Sequence, residues 1–149
     1  MTVRKWNASD LAAVAEMESL LQIRPWNLSQ IGEEFDNPSY RCLVLEAEGS
    51  VIGYAGFYRV SDYAEISNVG VRQEFWGKGC GKRLLTSLFE LASSEGLYAM
   101  TLEVAVSNQR AIGLYHSLGF SEEGQRKDYY GKGEHALIMW RRWNPQPIV

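Results

Sequence analysis

Between Ala64 and Val106 the chain runs strand, glycine turn, long helix and strand, and that order leaves few folds open. Val69 and Val71 are β-branched and alternate, which suits an extended segment. Gly77, Gly79 and Gly81 follow at every second position and let the backbone bend close to whatever it holds. From there the apolar residues fall at Cys80, Leu84, Leu85, Leu88, Leu91 and Ala92, one face of a helix predicted to run to about Ser94. Gly96 is a natural C-cap, and Tyr98 to Val106 alternates again, with Met100, Leu102, Val104 and Val106 on one face. Such a unit joins parallel neighbours, so a parallel pair is expected at the centre of the sheet.

The flanking segments supply the rest of an α/β domain. Thr2 to Lys5 reads as a first strand, and Leu11, Val14, Ala15, Glu18 and Leu21 form a mostly apolar helical stripe that Pro25 is expected to end. A short helix is expected around Ser29 to Phe35. Arg41 to Ala47 and Val51 to Val60 read as a hairpin around Glu48-Gly49-Ser50, and Ala64 to Val71 as the next strand. Ser107 or Asn108 can cap a helix from Gln109 to Leu118, closed by Gly119, before strands at Phe120 to Gln125 and Ala136 to Trp143. The expectation is a mixed sheet of six or seven strands with about four helices.

At 149 residues the chain fits one domain, 1–149, able to bury a sizeable core. A net charge of −3 argues against a broad nucleic-acid surface and suits a cationic acceptor such as an amine. No apolar run approaches the ~18 residues of a membrane span, and Met1 to Asp10 lacks a signal-peptide core. Cys42 and Cys80 lie far apart, consistent with a reducing cytoplasm, and no metal-ligand spacing involves the isolated His116 and His135. No metal is therefore expected.

A helix that opens on bare glycines presents unpaired N–H groups and its positive dipole end, a ready anion site. The spacing excludes two familiar ligands. Gly81-Lys82 is followed by Arg83, and Trp76 stands where a Walker A loop needs its first glycine. Gly77, Gly79 and Gly81 run Gly-x-Gly-x-Gly, which is not the dinucleotide fingerprint.

The turn resembles the pyrophosphate loop of the GNAT acetyltransferases, Gln/Arg-x-x-Gly-x-Gly/Ala, with Gly79 and Gly81 at the two small positions. Ser107-Asn108-x-x-Ala111-x-x-x-Tyr115-x-x-x-Gly119-Phe120 resembles the final motif of that family almost position for position. Pro25-Trp26, Leu102-Glu103-Val104, Arg126-x-Asp128-Tyr129-Tyr130 and Gly133-Glu134-x-Ala136 resemble, more narrowly, its ribosomal-protein-alanine branch. The likeness spans about Trp26 to Met139. Departures are Gln73 and Trp76 in the loop, Asp128 where Asn is usual and His135 where Asp is usual.

The resemblance implies a GNAT fold with a splayed parallel pair, and acetyl transfer from acetyl-CoA to a protein N-terminal α-amine by direct attack. The implied acceptor is the N-terminal alanine of a small-subunit ribosomal protein. Glu103 is the implied general base, although alternation alone favours a strand carboxylate in a salt bridge or in solvent. An α-amine titrates at about 7.7–8.0 and a lysine at about 10.4, so the former gives up its proton more readily near neutral pH. Tyr115 is the implied general acid, or otherwise a core aromatic with an ordinary pKa near ~10. Val69, Gly70 and Val71 would bind acetyl and pantetheine groups through unpaired backbone N–H and C=O groups. Gly77, Lys78, Gly79, Cys80, Gly81, Lys82 and Asn108 complete the implied donor site, with Asn108 equally a plain cap and Cys80 a packing residue. Trp26, Tyr129 and Tyr130 would flank a peptide N-terminus, and Glu33, Glu34 and Asp36 either attract a basic peptide or form a solvated face. Alternatives are acetylation of a polyamine, small amine or other peptide, and a non-catalytic CoA-binding module.

Overall fold

The computed structural model describes residues 1–143; residues 144–149 of the expected domain lie outside it. Seven strands form one sheet, in the order β1 (Thr2–Lys5), β2 (Tyr40–Ala47), β3 (Ser50–Val60), β4 (Tyr63–Val71), β5 (Ala99–Ala105), β7 (Ala136–Arg142) and β6 (Ser121–Arg126). Every neighbouring pair is antiparallel except β4 and β5. Four helices cover it: α1 (Leu11–Leu21), α2 (Leu28–Phe35), α3 (Cys80–Ser94) and α4 (Gln109–Ser117).

Local chemistry explains most boundaries. Glu48 and Gly49 both have positive φ, the turn that matches the twist of a two-stranded ribbon. Asn27 and Gln30 cap α2 reciprocally, each side chain accepting the other's backbone N–H at 2.9 Å. Gly96 and Gly119 adopt the left-handed conformation just beyond α3 and α4. One expectation differs. α1 stops at Leu21, well before Pro25, because Gln22 turns extended and its side chain enters a hydrogen-bond network described below.

The core lies on both faces of the sheet. Leu84, Leu85, Leu88 and Ala92 of α3 pack on Leu43, Leu45, Ala55 and Phe57, together with residues of α4 and β5. Phe89 joins this buried face, and Leu91, expected there, is only half-buried. On the opposite face Val14, Met17 and Ile31 of α1 and α2 meet Tyr40, Cys42, Val44 and Tyr54. A fully buried Leu contributes about 1.5–3 kcal/mol, so these two layers dominate stability. β5 is enclosed from both sides, and Glu103 alone among its residues is not buried.

The parallel pair holds together for only three register positions, Tyr63 with Ala99, Ala64 with Met100 and Glu65 with Thr101. Beyond them the two strands diverge. A bulge in β4 lies at the point of divergence, where the register passes from Phe57–Ile66 to Gly56–Asn68 and leaves Ser67 extra. Gly56 makes room there: a Cβ would lie 1.9 Å from the Tyr40 hydroxyl, which instead reaches Ser67 Oγ at 3.0 Å.

Candidate active site

The divergence leaves one edge of β4 open. Arg72 N–H donates to Ile52 carbonyl at 2.8 Å, which fixes the hydrogen-bonding phase against β3. Alternation then turns Gly70 toward β3, and Val69 and Val71 toward the gap. Both outward carbonyls are already engaged: Gln22 Nε2 donates to Val69 O at 2.9 Å and Trp76 Nε1 to Val71 O at 2.7 Å. The expectation of free N–H and C=O groups along Val69 to Val71 is thereby corrected. The N–H groups of Val69 and Val71 face the gap, their carbonyls carry side-chain donors, and the polar groups of Gly70 belong to the sheet. Gly70 is also sterically required, since a Cβ would lie 2.6 Å from the Tyr54 ring.

A cavity of about 350 Å³ runs from this edge to the start of α3. Gly77, Gly79, Cys80, Gly81 and Lys82 line it, along with Val69, Gly70 and Val71. Gly77 and Gly79 have φ near +76° and +77°, a conformation that costs a non-glycine residue about 1–2 kcal/mol. The first intrahelical bond runs from Arg83 N–H to Gly79 O, so the N–H groups ahead of Arg83 are free to meet an anion. Lys78 does not line the cavity; its ammonium sits 5.3 Å from the centroid of Phe75. Cys80 is buried, with its thiol against Met1.

A second cavity of about 440 Å³ opens on the β5 side of the gap. Glu103, Glu65, Trp26, Tyr129 and Tyr130 line it. Glu103 Oε1 pairs with Arg126 Nε at 3.1 Å, while Oε2 is buried with no hydrogen-bond partner among the described residues. Burial raises the Glu103 pKa above the usual carboxylate range; Arg126 pulls it down and the charge of Glu65 adds to the rise. Tyr130 donates weakly to the Glu103 carbonyl at 3.4 Å, and burial pushes its pKa up to about 12. Two guanidinium groups, those of Arg24 and Arg126, each lie 5.4 Å from the Tyr129 ring centroid. Glu33 and Glu34 of α2 and Asp36 just beyond it do not line this cavity.

The two cavities meet at the gap. Leu21, Gln22, Val69, Asn108, Ala111 and Tyr115 line both. Asn108 caps α4 by accepting the Ala111 N–H at 3.2 Å. Tyr115 is buried, edge-on to Phe120, and burial holds its pKa well above the ordinary tyrosine value expected from sequence. The hydroxyl therefore stays protonated across the accessible pH range.

A buried network supports the junction and had no place in the sequence expectations. Glu18 is 0% exposed. It accepts hydrogen bonds from the Tyr54 hydroxyl, from Asn68 Nδ2 at 2.8 Å and from Trp26 N–H at 3.0 Å. Gln22 Nε2 donates to the same tyrosine oxygen at 3.0 Å as well as to Val69 O. One carboxylate so ties α1, the segment before α2, β3 and β4 together at the open edge. A lone acid on the apolar stripe of α1 was the available signal.

A glycine-led helix on one side of an opened parallel pair and a carboxylate on the other define an acyl-CoA-dependent N-acyltransferase. The sequence model of the Acetyltransferase (GNAT) family matches residues 4–120, and the chain belongs to that family. Acetyl-CoA is the donor. A relative from Bacillus subtilis, provisionally named a ribosomal protein bS18-alanine N-acetyltransferase, is 38% identical over 140 residues, 93% of each chain. The bS18-alanine N-acetyltransferase of Escherichia coli is 32% identical over 146 residues, 93% of this chain and 95% of that one. The crystal structure of the ribosomal-protein-S18-alanine N-acetyltransferase from Escherichia coli superposes with a TM-score of 0.88 at 28% identity, covering 99% and 98% of the two chains. An aminoglycoside 6'-N-acetyltransferase complexed with coenzyme A shares the fold at a TM-score of 0.87 and 14% identity, over 99% and 100% of the chains. Among the described residues no cluster of three or more His, Cys, Asp or Glu could hold a metal, and no helix is long and apolar enough to cross a membrane.

Proposed function

We propose that this enzyme acetylates the N-terminal α-amine of a ribosomal protein, the terminal alanine of bS18. The observation that carries the reading is the meeting of two cavities at Tyr115, one built for a phosphate-bearing donor and one floored by Glu103. The names of its relatives at 32–38% identity support the particular acceptor.

Glu103 is the general base, receiving the ammonium proton at a carboxylate whose raised pKa suits the task. An α-amine near about 7.7–8.0 asks little of it. Acetyl-CoA supplies an acetyl group already activated as a thioester, so no covalent enzyme intermediate is needed. The N–H groups of Val69 and Val71 are the donors placed to polarise the thioester oxygen and to pair with the pantetheine arm. Gly77, Gly79, Gly81, Cys80, Lys82 and Asn108 form the remaining donor wall, with N–H groups at the start of α3 serving the pyrophosphate. Tyr115 is the general acid for the departing thiolate, because it faces both cavities whereas Tyr130 lines only the acceptor side. Trp26, Tyr129 and Tyr130 border the acceptor terminus.

The test is mass spectrometry after incubating the enzyme with acetyl-CoA and a peptide copy of the bS18 N-terminus, an N-terminally blocked copy, or spermidine. Acetylation of the open peptide alone is expected. Turnover confined to the free amine would overturn the acceptor assignment.

A further inference from the structure

Trp76 and Arg110 meet across the donor cavity. Both line it, one from the loop after β4 and the other from the first turn of α4. The Arg110 guanidinium carbon lies 3.9 Å from the indole centroid. The ring is held in that attitude, since turning it away would break the 2.7 Å bond from Nε1 to the Val71 carbonyl. With its N–H so engaged, Trp76 itself offers a ligand neither charge nor donor.

Arg110 is the opposite case. It is exposed, and among the described residues no carboxylate pairs with it. Stacking uses the face of a guanidinium and leaves its N–H edge open, and that planar fork suits phosphate oxygens. An exposed cation–π contact is weak, so it orients the group without preventing a stronger partner from taking it. Among the described residues Lys82 and Arg110 are the cationic side chains lining this cavity, on α3 and α4 respectively, and no carboxylate lines it. The glycine loop and Lys82 act from one wall. Arg110 faces them from the other.

We propose that Arg110 is a specificity-determining residue for the donor, gripping a phosphate of coenzyme A from the α4 side, with Trp76 as its positioning residue. The proposal rests on the assignment of this cavity to the donor. Calorimetric binding of coenzyme A, 3'-dephospho-coenzyme A and pantetheine (the last by displacement) tests it on the parent, Arg110→Ala, Arg110→Lys and Trp76→Ala. Arg110→Ala is expected to weaken coenzyme A about tenfold and leave pantetheine unchanged. Trp76→Ala should weaken coenzyme A about threefold, and Arg110→Lys should fall between parent and alanine. A loss by Arg110→Ala that persists with dephospho-coenzyme A assigns the contact to the pyrophosphate, and one that vanishes assigns it to the 3'-phosphate. Parent-like affinity in Arg110→Ala, or equal loss for coenzyme A and pantetheine, overturns the proposal alone. A parent that binds no coenzyme A overturns the donor-site assignment and the proposal with it.

Discussion

Arg126 of the edge strand β6 reaches across β7 and places its Nε 3.1 Å from Glu103 Oε1. The candidate base is thus held by a cation that is itself largely solvent-facing, and its ionisation is set by opposed influences. Burial and, more weakly, the charge of Glu65 favour the neutral acid, and Arg126 favours the carboxylate.

Arg126→Ala removes the influence that lowers the Glu103 pKa, so that pKa must rise further. A general base works only when ionised, and the acid limb of kcat/KM should therefore move to higher pH. Profiles from about pH 5 to about pH 9 should show the variant falling behind on the acid side and converging with the parent above the limb. A limb that stays in place or moves down would remove Glu103 from the role of base.

Tyr115→Phe should lower kcat by about a hundredfold with the dissociation constant for coenzyme A unchanged. Because burial raises the pKa of this hydroxyl, the parent should show no loss from its ionisation up to about pH 10. Tyr130→Phe is the control. It gives up only a 3.4 Å contact and should cost less than about threefold.

Glu18→Ala leaves the Tyr54 hydroxyl, the Asn68 amide and the Trp26 N–H without their shared acceptor. The expected cost is about 3 kcal/mol in urea unfolding, equivalent to a Tm lower by roughly 6–12 °C. Tyr54→Phe should cost about 1–2 kcal/mol. The double variant should be less destabilised than the sum of the two, since one hydrogen bond is common to both. Full additivity would mean that the network does not act as a unit.

Much of this was written locally in the chain. The limits of α3 at Cys80 and Ser94 follow from a 3.6-residue apolar period and from glycines at both ends. Glu103 is the charged residue of a mostly apolar strand, and the structure leaves it the one residue of β5 not buried. What was not legible depends on contacts between distant positions. Asn68 meets Glu18 across 50 residues of sequence, and no local pattern announces the pair. Trp76 departs from the family's loop pattern, and only its two neighbours, Val71 O and Arg110, give it a place. Likewise, Val69 and Val71 were readable as strand residues, but which of their groups faced the gap depended on pairing with β3.

The bulge at Ser67 acts as a parity switch. Upstream of it the register pairs Tyr63 with Val60 and Glu65 with Tyr58; downstream it pairs Asn68 with Gly56 and Gly70 with Tyr54. The even-numbered residues of β3 thus bond to odd positions of β4 before the bulge and to even positions after it. Were Ser67 drawn into the ladder in place of the bulge, Val69 and Val71 would be sealed against β3 and Asn68 and Gly70 would face the gap; deleting Ser67 would instead leave the downstream pairing as it is. Which amides of β4 face the gap is thus decided by one surplus residue held out of the ladder.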